Sequence, residues 1–127
     1  MNNIYKVIFD DECEMYVEGV ILENIPFTKA LVDDLRKIPS LELKLPNINS
    51  NTFSAINILI KVKLDRHVEY KKYVIDIIAN FTIDKLMDFI IVTNHLGLVE
   101  LQNIASEYFK HIISDNTVDK IKQMYFP

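Results

Sequence analysis

Three amphipathic segments follow one another with almost no linker in the last third of the chain, over residues 82–125. Thr82 can cap the first helix, and Gly97 is expected to end it, because glycine readily adopts the left-handed backbone of a helix terminus. A clean apolar stripe then runs to Ile112, and Thr117 can cap a final short helix. This helical layer carries no plausible catalytic set, so it favours a binding surface over a reaction pocket.

The preceding part of the chain predicts a few short strands among further helices. Residues 4–9 and 15–18 are typical of a hairpin, whose acidic turn lacks glycine and therefore predicts a longer loop. Residues 41–45 alternate apolar and charged side chains, as a half-buried strand does. Helices are expected over 26–38, 50–64 and 69–79. Strands followed by a run of helices indicate an α+β domain with a small three-stranded sheet.

For two of these helices, the sequence allows more specific predictions. The 26–38 helix is predicted to begin at Pro26 and to end at Pro39. Its apolar stripe, which sets the expected buried face, consists of Phe27, Ala30, Leu31, Leu35 and Ile38. The 50–64 segment has little polar face and is therefore expected to be the central helix of the core.

Length, composition and charge exclude several classes of function. With 127 residues, the chain is expected to form one domain with a substantial core. Its 18 acidic and 14 basic residues give a net charge of −4, and the basic residues are scattered, which argues against a nucleic-acid partner. No apolar run approaches the roughly 20 residues of a membrane span. The N-terminus also lacks the pattern of a signal peptide.

No cluster in the sequence predicts catalysis, a metal site or a cofactor. Cys13 is the only cysteine, which excludes an intramolecular disulfide and a cysteine zinc site and suits a reducing compartment. The acidic residues around it lack the spacing of a calcium loop, and they disfavour the thiolate that a nucleophile needs. The three histidines are dispersed, and no phosphate loop is present. The chain is therefore not expected to be an enzyme.

Three motifs carry a resemblance to a known family. Residues 44–56, KLPNINSNTFSAI, are similar to the signature of the Skp-type adaptors of SCF ubiquitin ligases, in which a short strand runs into Leu-Pro-Asn-Val-Asn and the central helix. Residues 86–101, LMDFIIVTNHLGLVEL, resemble an apolar helix, Ala-Asn-Tyr-Leu-Asp and a second helix. Residues 117–125, TVDKIKQMY, resemble Thr-Pro-Glu-Glu-Ile-Arg-Lys-Thr-Phe. The motifs keep the family's order and spacing, so the resemblance spans nearly the whole chain.

The resemblance implies a fold and a function. The expected fold is a BTB/POZ-like body over 1–81 with adaptor-type helices over 82–127, as one continuous domain. The expected function is that of a non-catalytic adaptor, which binds a cullin and an F-box protein and so brings a substrate-recruiting subunit to a ubiquitin ligase in protein degradation. Such an adaptor works inside the cell, in the cytoplasm or the nucleus.

The same resemblance implies contact residues for both partners. Those expected for the cullin are Asn94, His95, Asn49 and Phe53. Those expected for the F-box protein are Ile104, Tyr108, Ile112, Ile121, Met124 and Tyr125. Two alternatives stay open: the segment around Asn94 and Gly97 could be only a helix cap, and the stripe residues could pack the domain's own core.

The sequence departs from the family at four places. The acidic, proline-rich insertion after the central helix is absent, the family Tyr is His95, and the family Asp is Gly97. The sequence ends at Pro127, before a further helix that clasps the F-box in the family, so a reduced or different F-box contact is expected if that end is natural. The alternatives are therefore a self-associating BTB/POZ module that forms a homodimer, and a divergent or viral mimic that keeps one interface.

Overall fold

The computed structural model describes residues 3–35, 42–65 and 69–115. These residues form an α+β domain with a three-stranded sheet and six helices, which confirms the predicted class. The elements in chain order are β1 (Ile4–Phe9), β2 (Glu14–Glu18), α1 (Gly19–Glu23), α2 (Pro26–Leu35), β3 (Glu42–Leu45), α3 (Ser50–Leu64), α4 (Tyr70–Ile78), α5 (Ile83–Leu96) and α6 (Val99–Asp115). The predicted helix cap at Thr117 lies outside the described residues.

The sheet has the strand order β2-β1-β3, with β1 in the centre. β1 and β2 form the predicted antiparallel hairpin, and the loop between them is closed by a hydrogen bond of 3.0 Å from the Phe9 N–H to the Cys13 carbonyl. β3 pairs with β1 in parallel, so that Leu43 lies opposite Val7. Because side chains alternate along each strand, one face of the sheet is buried. That face carries Tyr5, Val7, Phe9, Val17, Leu43 and Leu45.

Helix α1 was not predicted, because five residues are too few to show a helical period. It begins directly after β2, and the N–H of Gly19 donates to the Asn3 carbonyl at 2.6 Å. A Cβ at this glycine would lie 3.1 Å from the same oxygen, so the close approach favours glycine. Ile21 and Leu22 then turn into the core.

Helix α2 begins at Pro26 as predicted, but its buried face differs from the predicted stripe. Thr28 and Val32 are fully buried, whereas Phe27 and Ala30 are exposed. The Thr28 hydroxyl donates to the carbonyl of Leu22 at 2.6 Å, and the carbonyl of Ile25 lies 3.2 Å away. The buried Thr28 hydroxyl is therefore hydrogen-bonded, so its burial does not leave it unsatisfied. The predicted end of the helix at Pro39, and Ile38 with it, lie outside the described residues.

The remaining helices complete one core. α3 is the central helix, with Ile56 and Leu59 fully buried, as predicted. α5 begins where the Thr82 hydroxyl accepts from the N–H of Lys85 at 3.1 Å, which confirms the predicted cap. Residues on both sides of position 82, such as Leu45 from the sheet and Phe89 from α5, belong to the same buried cluster.

Candidate functional site

The end of helix α5 presents two of the candidate contact residues. Gly97 has a φ of 79°, and its N–H donates to the Asn94 carbonyl at 3.1 Å, while the N–H of Leu98 donates to the Thr93 carbonyl at 2.9 Å. These two bonds form a Schellman motif, so backbone groups alone close the helix. The side chains of Asn94 and His95 are both exposed and are not needed for this cap. Capping therefore explains Gly97 but leaves both side chains available to a partner.

An aromatic side chain from another helix adjoins this pair. The ring of Phe27 lies 4.8 Å from the His95 ring, with the two planes tilted by 42°. Phe27 is 38% exposed, so part of its ring is accessible to a partner. We call Phe27, Asn94 and His95 the α5-end surface. Sequence reasoning missed Phe27 because helical spacing assigned it to the core, and no local pattern shows which helix face meets the domain.

The other two cullin-contact candidates have structural roles. Asn49 is exposed and caps α3, because its side-chain oxygen accepts from the N–H of Asn51 at 2.8 Å. Phe53 is fully buried, and its ring packs 5.1 Å from that of Phe9. The prediction that Phe53 contacts the cullin is therefore wrong, since its side chain is not accessible to a partner.

The start of α3 and the end of α5 are separate places on the domain. The Thr52 hydroxyl donates to the Asp88 carboxylate at 2.5 Å, so the first turn of α3 lies against the middle of α5. Asn94 follows Asp88 by six residues, or about 9 Å along a helix. The structure thus groups His95 with Asn94 and Phe27, whereas Asn49 caps the turn of α3 that lies against the middle of α5.

The candidate F-box residues on α6 mostly face the core. Ile104 is buried, so the prediction that it contacts the F-box protein is wrong, for the same reason as the prediction for Phe53. Tyr108 and Ile112 are half-buried and pack against the core cluster, as the alternative explanation expects. The other three candidates, Ile121, Met124 and Tyr125, lie outside the described residues.

An exposed apolar groove lies instead between α5 and α6. Its volume is about 280 Å³. The groove is lined by Met87, Ile90, Ile91, Ser106, Phe109 and Lys110. Ile91 is 63% exposed although it is a large aliphatic residue, and Met87 is also exposed. The signal in the sequence is that α5 has apolar residues on two faces, while only one face can be buried against the domain.

A larger cavity lies where several helices meet. It has a volume of about 520 Å³ and lies between the α1–α2 turn, the end of α3, the start of α4 and the beginning of α6. We call it the junction cavity. Its walls include Pro26, Ile60, Leu64, Tyr70, Leu98 and Leu101. The Tyr70 hydroxyl is buried and has no hydrogen-bond partner in the described structure, which costs roughly 1–3 kcal/mol.

Two opposite charges are paired at the edge of the junction cavity. Lys63 and Glu100 form a half-exposed ion pair at its edge, and the Lys63 ammonium lies 5.6 Å from the centre of the Tyr70 ring. Burial, followed by the negative charge of Glu100, raises the pKa of the Tyr70 hydroxyl above its usual range. The hydroxyl therefore keeps its proton at neutral pH and remains a hydrogen-bond donor.

The acidic turn of the hairpin has a structural role through one carboxylate. Asp11 accepts from the hydroxyl of Ser50 at 2.7 Å and from its backbone N–H at 3.3 Å. These bonds tie the hairpin to the first turn of α3, and they lower the pKa of Asp11. Across residues 3–35, 42–65 and 69–115, no group of three His, Cys, Asp or Glu side chains could hold a metal ion.

Comparisons with known proteins add no further constraint. No protein-family model matches the chain, and no curated protein is significantly similar to it. None of the helices in the described part of the chain is long and apolar enough to cross a membrane. The α5-end surface and the α5–α6 groove are therefore the features of the protein from which a function can be proposed.

Proposed function

We propose that the protein is a non-catalytic adaptor of the Skp type with a BTB/POZ-like fold, which bridges a cullin and an F-box protein in ubiquitin-dependent protein degradation. The observation that carries this proposal is the exposure of Asn94 and His95 at the end of α5, within the second of the three family-like motifs. Under this proposal the protein acts in the cytoplasm or the nucleus, where the exposed Cys13 stays reduced.

The α5-end surface has the composition expected of a contact for a folded partner. Exposed aromatic rings contribute large, rigid contact area, and binding hot spots are enriched in them. Here the Phe27 and His95 rings already support each other, so little side-chain freedom is lost when a partner covers them. We therefore assign the cullin contact to Phe27, Asn94 and His95.

The α5–α6 groove supports the second contact of the proposal. Its exposed apolar residues, with Ile91 the most exposed, fit the apolar face of a helix from an F-box protein. This assignment replaces Ile104, which is buried. The two contacts use different residues of α5.

The proposal is tested by co-purification with cullin N-terminal domains and F-box domains, with masses read by light scattering. The double variant Asn94→Lys, His95→Lys should lose cullin binding while its circular dichroism and melting temperature stay unchanged. A matched control, Asn103→Lys with His111→Lys, adds the same charges at exposed positions of α6 and should keep cullin binding. If the first pair unfolds the protein, the residues are structural and the contact assignment fails.

The three outcomes for the wild type separate the competing functions. A ternary complex supports the adaptor. Binding to only one partner supports a mimic that keeps a single interface. If neither partner binds and the chain runs as a homodimer, the self-associating BTB/POZ module is the correct function.

One observation favours self-association as the second candidate function. The outer face of the sheet exposes Tyr16 by 71% and Ile4 by 55%. Two such faces could pack together, because the neighbouring Lys6 and Glu14 are already paired at 3.2 Å and leave no net charge between them. The variant Tyr16→Glu should then convert a dimer into a monomer, whereas the adaptor function predicts no change in mass.

A further inference from the structure

We draw no further inference here: the strongest candidate, the exposed apolar surface around Ile91 in the α5–α6 groove, belongs to the contact already proposed for the F-box protein, and nothing in the described structure shows what else would cover it.

Discussion

Replacing Phe53 by alanine separates its role in the core from the surface contact that the sequence suggested. The side chain is fully buried, and Phe→Ala substitutions at such positions cost about 3–5 kcal/mol of unfolding free energy. The ring also packs 5.1 Å from the Phe9 ring, a pair of the kind that contributes about 0.5–1.5 kcal/mol beyond buried area. We therefore expect a loss of about 4 kcal/mol, which is large against the roughly 5–15 kcal/mol of a whole domain.

Urea denaturation at 25 °C measures this loss. With an m value of about 1.5 kcal/mol/M, a loss of about 4 kcal/mol lowers the midpoint by about 2.7 M. Phe53→Leu keeps most of the volume and should lose about 1.5 kcal/mol. Ile91→Ala, at an exposed position, should stay within about 0.5 kcal/mol of wild type. A loss below about 1 kcal/mol for Phe53→Ala, with an unchanged m value, would refute the burial argument.

Two further substitutions test the turn at the end of α5 and the tie between the hairpin and α3. Gly97→Ala should lose about 1–2 kcal/mol in urea denaturation, because the φ of 79° is strained for alanine and the new Cβ lies 3.2 Å from the Pro26 Cβ. Gly97→Asn should lose less, and equal stability of the alanine variant and wild type would contradict this reasoning. For Asp11, whose pKa is lowered from 3.8, chiefly by the Ser50 hydroxyl, wild type should melt above Asp11→Asn at neutral pH. The difference in melting temperature should be complete above pH 3.8 and should vanish as pH falls through the lowered pKa of Asp11. If the difference persists at lower pH, the ionised carboxylate of Asp11 is not its cause.

The sequence predicted the elements whose signals are local. The end of α5 followed from Gly97, because a left-handed residue is needed there, and the start followed from Thr82, because its hydroxyl caps the first turn. Helix α1 gave no such signal, since five residues span less than two turns. The parallel pairing of β1 with β3 was not predicted either, because the partner of a strand depends on residues distant in the chain.

The candidate site was predicted only in part, for a different physical reason. An apolar stripe shows that a helix has a face to bury, but it does not show whether the domain or a partner covers that face. Ile104 and Phe27 illustrate the two errors: the first was assigned to a partner and is buried, and the second was assigned to the core and is exposed. The Asn94–His95 pair was expected only from the family resemblance, and the structure shows that both side chains are exposed.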